Sequence, residues 1–433
     1  MNLARPEGLA TCAPTQLGIA CNQVPPISAG ERIDERIPVM ADINPPDRRE
    51  KAKNWAPQEE KRRRNDQSGH NSSSGEQNGR TQRETRNWRR PPHKSFKQAY
   101  AAIDLGTNNC RLLIARPNDE NFVVIDAFSR VVRLGEGLAQ TGRLSDRAMD
   151  RALGALKVCA DKLRRRNVHL ARSVATEACR RASNGEAFIE RVREETGIVL
   201  DIISAQEEAR LAVLGCHILL EDGIGPAIIF DIGGGSTELV LIEPGAPVPR
   251  IIDWQSVPWG VVSLSETVGE EPEDDNAGRL ARYAKMKHLV RDSFAEFAQR
   301  IAAHQSSEQR LLGTSGTVTT LASVHLGLPQ YDRKAVDGLI VPSDSMRGIS
   351  QQLSGMSPQE RSQLDCIGAD RADLVVAGCA ILEAILEIWP ADRLGVADRG
   401  IREGILRSLM TADAEGIEAQ AALRRLKQAG SAD

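Results

Sequence analysis

Three short stretches of the chain combine glycine-rich turns with acids or hydroxyls. DLGTNN runs from Asp104 to Asn109, DIGGGSTE from Asp231 to Glu238, and GTSGT from Gly313 to Thr317. A turn without side chains lets a ligand approach the backbone, and its N–H groups can converge on an anion. Phosphate is the usual anion for such a cradle. Gly233, Gly234 and Gly235 form the barest turn, followed by Ser236 and Thr237. Gly106, Thr107, Asn108 and Asn109 supply donors on a facing wall. Gly313, Thr314, Ser315 and Gly316 follow a strand and open a helix, whose N-terminus also favours anions. One such turn is a weak signal; two duplicated turns and a third in this order are a strong one.

The elements that must carry these turns come in two copies. Asp104 falls on Asp231, Gly106 on Gly233, Asn108 on Gly235, Arg111 on Glu238 and Leu112 on Leu239, at a constant offset of 127 residues. That spacing is far longer than a solenoid repeat and indicates domain duplication. Each copy reads as a hairpin, a third strand, a long helix and a further strand. In the first copy the helix is SDRAMDRALGALKVCADKLRRR, with Ser145 as its candidate cap and apolar residues near 3.6 spacing. In the second it runs through LARYAKMKHLVRDSFAEFAQRI. Strands and helices alternating this way predict α/β domains with mixed sheets, facing each other across a cleft. Domain I is expected over 98–222, domain II over 223–412, and a short C-terminal helix or tail over 413–433. The last helix of domain II is a candidate to pack back on domain I.

Composition restricts what else the chain does. With 433 residues, 41% hydrophobic content and a net charge of −3, it is expected to be soluble and globular. No apolar run is long enough to span a bilayer, so no membrane partner is expected. Eight scattered cysteines without a CxxC pair suit a reducing cytoplasm better than a disulfide framework or zinc site. Residues 1–97 carry a net +6 against −9 for the remainder. Their polar, Pro- and Gly-rich composition predicts a disordered extension, with weak nucleic-acid or polyanion contact by Lys61–Arg64 and Arg89–Arg90 as its candidate role.

With these motifs, the chain resembles the exopolyphosphatase/guanosine pentaphosphate phosphohydrolase (Ppx/GppA) family. The resemblance runs from about Gln98 to Leu409 through AAIDLGTNNCRLLIA, VVRLGEGL, VATEACRRASN, ISAQEEARLAVLG, FDIGGGSTELVLI, LLGTSGTVTTLA, ADRADLVVAGCAIL and ADRGIREGIL. It implies two ribonuclease H-like domains of the actin, sugar-kinase and chaperone-ATPase superfamily, in a short form without the helical C-terminal domain of larger members. The implied reaction removes the terminal phosphate from inorganic polyphosphate or guanosine pentaphosphate by in-line attack of water. An ATP-dependent kinase or ATPase of the same superfamily, and a non-catalytic polyanion-binding regulator, are the alternatives. No sugar- or acetate-contacting segment supports the kinase, and the acids a regulator would have lost are present.

Such hydrolysis needs a base for the water and positive charge on the phosphoryl oxygens. No histidine of the matched region stands beside a phosphate turn, which leaves a carboxylate. In ISAQEEAR, Ser204 followed by Glu207 reads as a capping box, with Glu207 folded back on the Ser204 amide and Glu208 left free. The resemblance makes Glu208 the base and Asp231 and Glu238 acidic members of the site. Carboxylates beside a polyphosphate imply a cation, for which Mg²⁺ or another divalent ion is suited, held by Asp231, Glu238 and Asp104. By family position Arg111, Arg180, Arg371 and Arg402 are the phosphate-binding cations. A homodimer is also expected.

Overall fold

A computed structural model describes residues 98–118, 121–245, 248–269, 275–304 and 309–429. The basic extension over 1–97, with its expected disorder and polyanion contacts, lies outside these residues. The chain turns back on itself first at Gly106, whose N–H donates to the Asn109 carbonyl over 2.9 Å. That turn joins β1 (Ala99–Leu105) to β2 (Asn109–Pro117), an antiparallel pair. β1 is apolar at nearly every position because both of its faces are covered. β3 (Phe122–Val131) continues the meander, and β4 (Val168–Ala175) returns parallel to β1 after the helix Asp146–Arg165. Ser145 caps that helix by accepting the Ala148 N–H. Within the apolar stretch VLDIIS only β5, Asp201–Ile202, pairs in the sheet.

The second copy has the same plan. β6 (Ala227–Ile232), β7 (Thr237–Glu243) and β8 (Arg250–Val257) form the meander, and β9 (Arg310–Thr314) returns parallel to β6 after the helix Asn276–Ile301. β10 (Ile340–Pro342) and β11 (Arg393–Ala397) complete it. Among the described residues the sheet orders are β3-β2-β1-β4-β5 and β10-β11-β9-β6-β7-β8. The second is the first with β10 added antiparallel at its edge, so the repeat at 127 residues is a repeat of topology. Even the turn bond recurs, since Gly233 N–H donates to the Ser236 carbonyl over 2.9 Å.

Two crossing helices join the halves. Ala205–Cys216 puts Leu211 and Ala212 on the first sheet beside Tyr100, Ala102 and Val174. Its other face puts Ala209, Val213 and Cys216 on the second sheet beside Ile229, Val240 and Leu312. The long helix Ile401–Ala429 crosses it and packs Ile401, Ile405 and Leu406 on the first sheet. The crossing is close: a Cβ on Gly404 would lie 2.1 Å from the Leu211 carbonyl oxygen, and one on Gly215 2.0 Å from that of Gly400. This helix runs unbroken past residue 412, where a boundary was expected, because TADAEGIEAQ contains no proline to stop it. Among the described residues no helix is long and apolar enough to cross a membrane, and the cysteines are free thiols, nearly all buried.

A candidate phosphate cleft between two acid-glycine turns

The register of the two hairpins sets the chemistry. Asp104 stands opposite Arg111 across β1 and β2, while Asp231 stands opposite Glu238 across β6 and β7. Both turns, with the start of the helix Gly316–His325, line one cavity of about 140 Å³. Gly106, Thr107, Asn108, Asn109 and Arg111 line it from domain I; Gly233, Gly234, Gly235, Ser236, Ser315, Gly316 and Arg371 line it from domain II. A water occupies about 30 Å³ of liquid, so this volume holds a phosphoryl group with a few waters.

The two turns touch, and that contact explains the glycines differently from the sequence. A Cβ on Gly235 would sit 2.6 Å from Thr107 Oγ1 and 2.7 Å from Glu177 Cγ. A Cβ on Gly234 would meet Thr107 Cβ at 3.0 Å and the Asn108 nitrogen at 3.1 Å. All three glycines keep φ outside the left-handed region. Gly234 and Gly235 are required because the facing turn and Glu177 approach the backbone, whereas a Cβ on Gly233 would lie 2.9 Å from the Ser236 carbonyl oxygen of its own loop. Gly260 closes the back of the loop, where its own Cβ would lie 2.4 Å from the Gly234 carbonyl carbon.

Five carboxylates border the cavity, and low solvation pushes Asp104, Glu208, Asp231 and Glu238 toward their neutral forms. Burial lifts the Asp231 carboxyl to about 6, against the opposing pull of Arg111. Burial, then the nearby Asp231, lifts Glu238 to about 7. Ser236 and Ser256 oppose this by donating hydroxyl hydrogens to Glu238 Oε1 over 2.7 and 2.9 Å. Asp104 is raised by burial. Glu208, buried on the helix Ala205–Cys216, is raised well above the usual range by burial and by Glu238. Arg111 is pushed the other way, by burial and by the neighbouring Arg402.

Several polar atoms here have no protein partner. Asp104 Oδ1, Thr107 Oγ1, Asn108 Oδ1 and Ser315 Oγ are all shielded and unbonded. Buried polar groups without partners are rare in native folds, and their collection in one cavity marks a ligand site. Ser315 is also strained, at φ 104° and ψ 174°, a conformation close to glycine-only. The strain turns it into the cleft at the N-terminus of its helix, where amides face an anion. A cation fits this donor set, because the raised carboxylates and the orphaned Asp104 oxygen would be stabilised by positive charge. Among the described residues no three His, Cys, Asp or Glu side chains gather as a ready cage. A divalent cation held by one or two carboxylates, with phosphate oxygens and water completing its shell, would fit the acids that are present.

The two adjacent acids of ISAQEEAR separate. Ser204 caps its helix by accepting the Glu207 N–H over 3.1 Å. The reciprocal half of the capping box does not form. Glu207 Oε1 instead accepts from Arg172 at 3.0 Å and Oε2 from Arg210 at 2.7 Å, which holds its carboxyl below the usual range despite partial burial. Glu208 points into the cavity, and it is not free, because Arg180 Nη1 donates to its Oε2 over 3.1 Å. Arg180 also donates to Glu177 Oε2 at 2.7 Å and to the Ile203 carbonyl at 2.8 Å.

The remaining candidates, Arg371 apart, lie behind the cavity wall. Thr237 donates its hydroxyl to the Trp259 carbonyl and Thr314 to that of Arg399, each over 2.6 Å. Gly313 packs on Phe230 and Val318. Arg402 is an electrostatic neighbour of Asp104 and Arg111 and does not border the cavity. Arg371, at its lip, donates to Thr320 Oγ1 over 2.9 Å. The cavity also includes Thr176, Glu177, Thr317 and Thr320, which sequence reasoning did not single out. All four stand inside motifs quoted above, VATEACRRASN and GTSGTVTTLA, and nothing in their spacing distinguished them from structural residues.

Paired mixed sheets of this topology, with a cleft between them, define a protein of the actin-like ATPase fold. The Ppx/GppA phosphatase family model matches residues 113–413, and the chain belongs to that family. It is 30% identical over 323 residues to exopolyphosphatase 2 of Mycobacterium tuberculosis, covering 71% of this chain and 98% of the relative. The crystal structure of the Aquifex aeolicus Ppx/GppA family member aligns with a TM-score of 0.60 at 29% identity, over 73% of this chain and 98% of that one. An exopolyphosphatase-like protein aligns with a TM-score of 0.64 at 28% identity, over 71% and 97%.

Proposed function

We propose that the protein is a phosphohydrolase that releases the terminal phosphate of inorganic polyphosphate, with Glu208 as the base for the attacking water. The observation that carries this reading is Glu208 itself, a buried carboxylate of raised proton affinity on a cavity ringed by phosphate-type turns. A carboxylate whose proton affinity is raised by burial is a stronger base toward water than an exposed one. The amides at the start of Gly316–His325, the turn over Gly233–Ser236, and Arg111 and Arg371 receive the terminal phosphoryl. One or two of Asp231, Glu238 and Asp104 would hold Mg²⁺ directly and the rest through water, and the ion would neutralise phosphate charge and lower the cost of deprotonating water. Glu238, fixed at Oε1 by two serines, keeps its other oxygen for that role.

A guanosine pentaphosphate substrate presents the same terminal anhydride, so the site chemistry serves both. The experiment is phosphate release from short polyphosphate, long polyphosphate and guanosine pentaphosphate, compared by kcat/KM with and without Mg²⁺. Polyphosphate hydrolysis that stops with a chelator supports the reading. Phosphate transfer to an acceptor, or no release from any of the three, would sink it. The mostly buried free thiols suit a reducing compartment, for which the cytoplasm is our expectation.

A further inference from the structure

The guanidinium that holds Glu208 is itself held. Glu177 opens the short helix Glu177–Arg181, and its Oε2 accepts from Arg180 Nη2 at 2.7 Å. Arg181 Nε stands 3.7 Å from the other oxygen. Glu177 is 9% exposed and lies directly under the glycine loop, since a Cβ on Gly235 would collide with its Cγ. It therefore touches the loop of one domain and the arginine that grips the base of the other. Burial opposes the Arg180 charge, and Glu208 and Glu177 more than offset it, so this arginine stays a cation between two acids.

We propose that Glu177 is a positioning residue for the hydrolytic reaction, fixing Arg180 so that Glu208 is aimed at the attacking water. This rests on the reading of Glu208 as the base. One guanidinium presents two nitrogens in a rigid plane, so anchoring Nη2 on Glu177 sets the direction of Nη1. Without that anchor only the Ile203 carbonyl holds Arg180 beside Glu208, and the guanidinium can turn about that bond. The carboxylate then loses its fixed orientation, while the phosphate turns that bind substrate are unchanged. The rate of the chemical step falls and substrate binding does not.

The test is a double-mutant cycle on the full chain, reading kcat and KM for phosphate release from short polyphosphate. Glu177→Gln keeps the shape that packs on Gly235 and removes the charge that anchors Arg180. We expect kcat to fall roughly 10–100-fold, the range for losing an outer partner of a site, with KM within about twofold. In a Glu208→Gln background the same change should cost almost nothing, because Glu177 acts through Glu208. Additive losses, or a raised KM at parental kcat, overturn the proposal, the latter by making Glu177 a substrate contact. If Glu208→Gln is inactive and Glu177→Gln retains parental kcat, the positioning role fails and the base assignment stands. A fully active Glu208→Gln instead removes the base assignment itself. Should Glu177→Gln fail to fold, Arg180→Lys carries the cycle, since it keeps the charge and loses the two-point bridge.

Discussion

Arg180 Nη1 donates to Glu208 Oε2 across 3.1 Å, while Glu207, one residue earlier, is held by Arg172 and Arg210. Neighbours in sequence thus serve opposite purposes, one inside the cleft and one locking the helix to β4. We predict that Glu208→Gln loses about 10²–10⁴ in kcat, the span for a general base. Glu207→Gln should stay within roughly tenfold of the parent, since it loses ion pairs that lie partly in solvent. Purified variants assayed for phosphate release decide it, and equal losses would remove the distinction.

Glu208→Gln should also melt higher than the parent at neutral pH. A buried carboxylate of raised proton affinity destabilises the fold when ionised, and the amide removes that charge. Thermal melts of the two proteins check the sign, and an unchanged or lower Tm would show that the Arg180 contact outweighs desolvation.

Asp231 and Glu238 give the metal-free protein a defined pH dependence. Their folded carboxyls sit near 6 and 7, above the ordinary values of 3.8 and 4.5. Their stabilising contribution is complete below the ordinary values and is lost as pH rises through 6 and 7. For Asp231 alone this amounts to about 3 kcal/mol at most, at 1.36 kcal/mol per pKa unit. Asp231→Asn should therefore melt close to the parent at about pH 4 and above it at about pH 7.5. Mg²⁺ added at the higher pH should raise the parent Tm and leave the variant nearly unmoved. Parallel curves for the two proteins across this range would contradict the assignment.

The glycines around the loop should differ in tolerance. Gly260→Ala meets the backbone of Gly234 and Gly235, which has no room to yield. Gly235→Ala meets Thr107 Oγ1 and Glu177 Cγ, which are side chains that shift at lower cost. Overpacking typically costs about 1–3 kcal/mol, and we place Gly260→Ala above Gly235→Ala within or beyond that range. Denaturant midpoints rank them. Thr107→Ala combined with Gly235→Ala should recover part of the lost stability.

Ser315 sets strain against function. Ser315→Gly relieves a near glycine-only backbone, worth about 1–3 kcal/mol, against up to about 1 kcal/mol of added chain entropy. Its Tm should rise, while Ser315→Ala keeps the strain and should not gain. Both lose the unpartnered hydroxyl, so both should raise KM for polyphosphate by a similar factor. A Ser315→Gly protein with parental KM would show that the hydroxyl does not meet substrate.

Much of the architecture was legible in the sequence. The 127-residue repeat, the two hairpins, the Ser145 cap and the strand-helix order follow from turn chemistry and apolar period, which act over a few residues. Those local rules also placed the glycine-rich turns at the ends of β1, β6 and β9. Sequence could not assign partners to long charged side chains. Glu207 had an equally good local bond at Ser204, and it was taken instead by Arg172, which β4 brings alongside. Arg180 matched a phosphate-binding position and is occupied by two carboxylates. The three glycines suggested room for a ligand; their spacing gave no sign of Thr107 and Glu177 pressed against Gly234 and Gly235 from beside the other sheet. Capping and periodicity are properties of a segment, whereas charge pairing and close approach depend on which segments, tens of residues or more apart in sequence, fold into contact.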